Sequence, residues 1–155
     1  MVAVTHTARQ VRKVILDAFV HTGQAPTVGG IMAALGLSRA AVRATFREIA
    51  AIDTFWVEPE TEQIHLLAPF ANTKTPYIVT VEGVRKWYAV CGLAALGIWA
   101  FFPGQTVQVA AACRDCGEAI RLQCQDGQLT ARSPAPLIAH LGVPVARWRD
   151  DVPGA

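Results

Sequence analysis

The chain has 155 residues, of which 52% are hydrophobic and 17% charged, so its composition is that of a folded globular protein and excludes a disordered one. A net charge of +2 is too small to indicate a polyanionic partner by itself. The first residues mix polar and basic side chains without the apolar segment of a secretory signal, so we expect a cytoplasmic protein. Its four cysteines are then expected to be free thiols or metal ligands.

Residues 1–70 have the pattern of a small helical module that ends in a β-hairpin. Apolar residues recur at helical spacing in three segments, Thr5–His21, Pro26–Leu35 and Arg39–Ala51. Two short alternating segments, Thr54–Val57 and Gln63–Leu67, are predicted strands on either side of a turn. Three helices followed by a hairpin predict a winged helix-turn-helix module.

A basic stripe lies on the third predicted helix. Arg39, Arg43 and Arg47 recur every four residues and therefore share one face. On a winged helix, such a stripe is a candidate DNA-binding surface. The predicted wing, however, carries three glutamates that would repel phosphates: Glu58, Glu60 and Glu62. The alternative is a structural module with a solvated face, and we favour it.

The segment Trp87–Phe102 is the longest apolar segment of the chain and carries no charge. It follows a predicted linker, residues 68–76, and a predicted strand, Tyr77–Val81. It is shorter than the ~20 residues that cross a bilayer, so it predicts a buried central helix and no membrane partner. Cys91 lies on the apolar stripe of this helix, where a cysteine is most often a small buried hydrophobe.

The remainder of the chain predicts strands and contains a Cys-x-x-Cys turn. The predicted strands are Thr106–Ala112, Ala119–Cys124 and Gln128–Arg132. Cys113 and Cys116, followed by glycine, would form a tight turn whose sulfurs converge on one metal ion. A closed zinc site needs four ligands, so Cys124 with Cys91, or a histidine, would have to complete it. The alternatives are a redox pair and a turn with two unrelated cysteines.

The segment from Tyr77 to Cys124 resembles the organomercurial (alkylmercury) lyases. The similarity is carried by the local sequence Lys86-Trp87-Tyr88-Ala89-Val90-Cys91 and by the strand that leads from Gly104 to Cys113. It implies an α+β protein, with a lyase-like core of mixed strands around the central helix over residues 77–155. It also implies cleavage of a carbon–mercury bond by two cysteines and an aspartate. Thiolates suit soft Hg(II), and the leaving carbanion needs a proton donor.

The family positions transfer only in part to this chain. The first catalytic cysteine matches Cys91, and the strand-end cysteine, structural in the family, matches Cys113. The family aspartate lies three residues after the first cysteine, where this chain has Ala94. The second catalytic cysteine lies farther downstream, and no cysteine follows Cys124.

The turn after Cys113 holds the candidate replacements. Cys116 would stand in for the missing thiolate, and Asp115 or Glu118 for the proton donor, if the turn folds over Cys91.

We therefore predict an organomercurial-lyase-like protein with altered activity that binds a soft metal or an organometal through cysteine thiolates. Cys91 is the predicted catalytic residue, and the predicted metal ligands are Cys91, Cys113, Cys116 and Cys124. Cleavage would need no cofactor, and the metals expected on the thiolates are Hg, Zn or Cu. One alternative is a non-enzymatic thiol-based metal-binding or sensing protein whose winged helix binds DNA or serves as a scaffold. Another is a purely structural zinc site at the Cys-x-x-Cys turn.

Overall fold

The computed structural model describes residues 4–139, except for the side chain of Arg85. The helices in this part of the chain are α1 (His6–Thr22), α2 (Val28–Leu35), α3 (Arg39–Ala50) and α4 (Gly92–Gly97). The strands are β1 (Phe55–Val57), β2 (Ile64–Leu67), β3 (Phe70–Ala71), β4 (Ile78–Val81), β5 (Arg85–Ala89), β6 (Val107–Ala112), β7 (Ala119–Gln125) and β8 (Gln128–Ser133). The chain divides into two compact units after Leu67. Residues 140–155 of the predicted core lie outside the described residues.

The first unit has the predicted order of three helices and a hairpin. Thr5, Thr27 and Ser38 begin the helices, and each side-chain oxygen accepts a hydrogen bond from a backbone N–H three residues later. Each of these caps contributes about 1 kcal/mol to stability. Gly23 and Gly36 end α1 and α2 in the left-handed conformation that glycine adopts without strain. β1 and β2 pair in antiparallel fashion.

The core of the first unit is formed by the apolar stripes of its helices. Ile15, Phe19 and Ile49 are fully buried. Phe46 of α3 meets Phe55 of β1 edge to face, with ring centroids 5.3 Å apart. Full burial of each such side chain is worth about 1.5–3 kcal/mol, so packing holds the helices and the hairpin together.

The second unit is built on an antiparallel sheet with the strand order β3-β5-β4-β6-β7-β8. Val79 of β4 lies between Trp87 of β5 and Val109 of β6, and all three side chains are buried. This face of the sheet therefore carries the core of the unit. No helix in the described part of the chain is long and apolar enough to cross a bilayer.

The predicted central helix over Trp87–Phe102 is wrong. Residues 87–89 belong to β5, α4 is a short helix of six residues, and a 3₁₀ turn follows at Ile98–Phe101. Glu82 and Gly83 have φ values of 51° and 69°, and they reverse the chain so that β5 pairs with β4. An uncharged aromatic segment is compatible with a strand buried on one face as well as with a helix, so the pattern alone does not distinguish the two.

The predicted linker over residues 68–76 is also wrong in part. Phe70 and Ala71 form β3, where they pair with Ala89 and Tyr88 of β5. Both side chains are buried, and the Phe70 ring meets the Phe101 ring edge to face at 5.2 Å. This segment therefore contributes to the core of the second unit, although its proline and polar residues are typical of a loop.

Candidate thiol sites

Cys91 lies at the junction between β5 and α4. Its backbone is extended, with φ −159° and ψ 175°, and its side chain caps the helix. The Sγ atom accepts a hydrogen bond from the backbone N–H of Ala94 at 3.3 Å. The residue is half-buried, so it is not the fully buried packing cysteine that spacing alone suggests.

Apolar groups lie next to Cys91 along the chain. The ring of Tyr77 packs on Gly92, because a Cβ added at Gly92 would lie 3.5 Å from Tyr77 Cε1. Leu93 is 52% exposed although it is aliphatic. Neither residue is marked by the sequence pattern, which predicts a strand at Tyr77 and a buried helix at Leu93. An aromatic ring on Gly92 and an exposed aliphatic side chain at position 93, one and two residues after the thiol, suit a ligand with an organic substituent.

Cys113 and Cys116 lie in the turn between β6 and β7. The Cys113 N–H donates to the Glu118 carbonyl at 2.8 Å, and the Gly117 N–H donates to the Cys113 carbonyl at 3.0 Å. Hydrogen bonds from the backbone N–H groups of Cys116 and Asp115, and then from the Cys116 side chain, lower the pKa of the Cys113 thiol. Cys113 is half-buried and Cys116 exposed, so both thiols of this turn are accessible at the surface.

The sheet register places Cys91 and Cys113 at the same end of the second unit. β5 and β6 run in the same direction on either side of β4, and Ile78 of β4 pairs with both Tyr88 and Ala110. Each cysteine lies three residues beyond its paired residue. Because neighbouring strands are about 4.8 Å apart, the two backbones are separated by roughly 10 Å across β4.

Cys124 lies at the other end of β7 from the Cys113 turn. It pairs with Val107, whereas Ala119, five residues earlier, pairs with Ala112 next to Cys113. At about 3.4 Å per residue, this separation is roughly 17 Å along the strand. Cys124 is buried, and burial raises the pKa of its thiol. It therefore does not share a metal ion with Cys113 and Cys116.

The four predicted metal ligands are thus not brought together as one site. Among residues 4–139, no group of three or more histidine, cysteine, aspartate or glutamate side chains is arranged to hold a metal ion. Among these described residues, no carboxyl group forms a hydrogen bond with Cys91. Asp115 and Glu118 lie in the turn after Cys113. The candidate chemistry therefore divides between a single thiol at Cys91 and a dithiol at Cys113 and Cys116.

The basic stripe of α3 is engaged by the hairpin of the first unit. Arg39 and Arg43 both form ion pairs with Glu62, whose side chain is 10% exposed, while Arg47 is exposed. The predicted wing glutamate therefore contacts the stripe directly, in addition to opposing phosphates. Only the fold could reveal this contact, because Glu62 and Arg43 lie 19 residues apart in sequence.

Comparisons with known proteins identify the family of this chain. The chain matches no curated protein. A solved structure described as the mercury-bound form of MerB2 is 18% identical, with a TM-score of 0.66 over 84% of this chain. The match covers 61% of that protein, so this chain spans about three fifths of its length. The family model of alkylmercury lyase, MerB, matches residues 70–153, more than half of the chain. The chain belongs to the alkylmercury lyase family.

Proposed function

We propose that this chain is an organomercurial-lyase-like protein that captures a soft metal or an organometal on the thiol of Cys91. The observation that carries the proposal is the half-buried Cys91 thiol at the β5–α4 junction, within the segment that the alkylmercury lyase model matches. Soft metals prefer thiolate ligands. The related MerB2 structure is described as mercury-bound, which supports mercury as the metal.

The proposed capture step is a ligand exchange. An organomercury cation replaces the proton of the Cys91 thiol, so a sulfur–mercury bond forms and one proton is released. The apolar neighbours Tyr77 and Leu93 are available to the organic substituent. No cofactor takes part, and no electron is transferred.

Cleavage of the carbon–mercury bond needs a further proton. The bonding electron pair leaves with the carbon, which takes up that proton, while mercury remains on sulfur. Ala94 stands where the family has its aspartate, and it offers sulfur only a backbone N–H. A positioned acid is typically worth 10²–10⁴-fold in rate, so we expect capture to persist and cleavage to be slow.

The first unit is proposed to be a winged-helix module that serves as a scaffold. The ion pairs of Glu62 with Arg39 and Arg43 occupy two of the three guanidinium groups that a DNA backbone would need.

A cytoplasmic thiol-based sensor that binds metal without cleavage is the second candidate function. The absence of a carboxyl group at position 94 favours it.

The proposal is tested with phenylmercury in the presence of excess glutathione, which competes for accessible thiols. Two variants are compared: Cys91→Ser, and a variant that keeps only Cys91 through Cys113→Ser, Cys116→Ser and Cys124→Ala. Intact mass and gas chromatography measure bound phenylmercury and released benzene. We expect the Cys91-only variant to retain one phenylmercury group per chain and to release little benzene. The proposal would be overturned if the Cys91-only variant lost its phenylmercury group to the competing glutathione. Benzene release that depends on Cys91 would show turnover in addition to capture and would reject the sensor.

A further inference from the structure

The Cys-x-x-Cys turn, residues Cys113–Gly117, is a second thiol site that the function proposed for Cys91 does not use. We propose that Cys113 and Cys116 form a self-contained dithiolate site for a soft, two-coordinate metal ion, which binds there without Cys91. The inference does not rest on the lyase-like function, since it concerns different sulfur atoms on a different turn.

The backbone of the turn holds the two cysteines on one side. Its hydrogen bonds, from Cys113 to Glu118 and from Gly117 to Cys113, close the loop at both ends. Gly117 has a φ of 76°, a left-handed conformation that glycine adopts at no steric cost. With the loop closed in this way, the side chain of Cys116 reaches that of Cys113.

The turn leaves both thiols accessible. Cys113 is half-buried at the end of β6 and can supply the first ligand. The thiolate is the form of cysteine that binds metal, so each thiol releases its proton on binding. Cys116 is exposed and can supply the second ligand.

The number of ligands selects the kind of metal ion. Structural zinc takes four protein ligands, and the described residues supply no third side chain at this turn. Cys124 is roughly 17 Å away along β7, and Cys91 lies across β4. Soft ions such as Hg(II) and Cu(I) are satisfied by two thiolates in a nearly linear arrangement, so they fit a site with two sulfur atoms.

Binding at the turn is a proton-for-metal exchange. Two thiols release two protons, two metal–sulfur bonds form, and no electron is transferred. Because both sulfur atoms belong to one short turn, the second bond forms intramolecularly, at a high effective concentration. The turn is exposed, so the ion enters and leaves without any rearrangement of the sheet.

The test uses the full chain and Hg(II) as the probe. The variant Cys91→Ser/Cys124→Ala keeps only the two thiols of the turn, and its matched control carries Cys116→Ser in addition. Titration against competing glutathione, followed by sulfur-to-mercury charge-transfer absorption and by proton release, gives affinity and stoichiometry. We expect one Hg(II) per chain with two protons released, and binding weakened about 100-fold or more in the control, since the intramolecular second bond is lost.

Two results would overturn the inference. One is equal affinity with and without Cys116, and the other is one Hg(II) shared by two chains, measured by sedimentation. Gly117→Ala gives an independent check, because it keeps both thiols and strains the turn, so it should also weaken binding. Circular dichroism verifies that each variant is folded. Because the two-thiol variant and its control both lack Cys91, this experiment fails or succeeds separately from the phenylmercury experiment.

Discussion

The backbone N–H of Ala94 donates a hydrogen bond to the Cys91 sulfur at 3.3 Å. This contact fixes the thiol against the first turn of α4. It also brings the backbone of residue 94 within hydrogen-bonding distance of the sulfur. The position that the resemblance matches to the family aspartate therefore contacts the proposed mercury-binding atom through its backbone N–H, and in this chain it is alanine.

Ala94→Asp should restore a proton donor beside Cys91. We expect benzene release from phenylmercury to rise about 100-fold, the lower end of what a positioned general acid contributes. Gas chromatography of single-turnover reactions measures it. Ala94→Asn is the matched control, since it has nearly the same shape and no acidic proton. Equal rates in the two variants would contradict proton delivery from position 94.

Alkylation by iodoacetamide should distinguish Cys113 from Cys124. Hydrogen bonds lower the pKa of Cys113, so its reactive thiolate should appear at lower pH in the folded protein than in urea. The stability contributed by this shift is present above the unfolded pKa and is lost as pH falls through the folded pKa. Burial raises the pKa of Cys124, so its contribution has the opposite sign and is lost as pH rises through its folded pKa. Peptide mapping across pH checks both, and faster alkylation of Cys124 than of Cys113 would be inconsistent with the structure.

Glu62→Gln should release the basic stripe of α3. Arg39 and Arg43 lose their partner, so the protein should elute from a heparin column at higher salt than the parent. Unfolding free energy should fall by no more than about 1 kcal/mol, because both arginines are more than half exposed. Glu60→Gln is the control, since it removes the same charge from an exposed residue of the hairpin turn. The same elution salt for both variants would mean that the Glu62 ion pairs do not mask the stripe.

Gly127→Ala should destabilise the second unit more than Gly104→Ala does. Both glycines have positive φ, 80° and 73°, which costs alanine about 1 kcal/mol. A Cβ at Gly127 would lie 3.0 Å from the Trp99 ring, whereas at Gly104 nothing lies within 4 Å. The overpacking adds about 1–3 kcal/mol, measurable by urea denaturation. Equal losses in the two variants would show that the Trp99 contact does not constrain the β7–β8 turn.

Local patterns predicted most of the elements of this chain. The strand prediction over Ala119–Cys124 is confirmed, since β7 spans Ala119–Gln125. The pattern predicts a helix from Trp87, the third residue of β5, because the residues after β5 are uncharged as well and no change of pattern marks its end. The turn residues Glu82-Gly83 indicate a hairpin. Their left-handed backbone reverses the chain, so the residues that follow form a strand.

The candidate sites depend on register, which the sequence does not state. Cys113 and Cys116 are close in sequence, so their proximity was predictable from the turn itself. Cys91 and Cys113 share one end of the sheet only because β4 pairs with both of their strands. The sequence does not distinguish Cys124 from the other cysteines as a ligand. Its pairing with Val107 shows that it lies at the opposite end of β7 from the Cys113 turn.

Capture of mercury by Cys91 can be tested in a crystal of the full chain soaked with phenylmercury. Anomalous scattering locates the mercury atom independently of any activity. We expect a mercury peak at the Sγ atom of Cys91, between β5 and α4, with the phenyl group beside Tyr77 and Leu93. Mercury bound at other thiols, with none at Cys91, would contradict it.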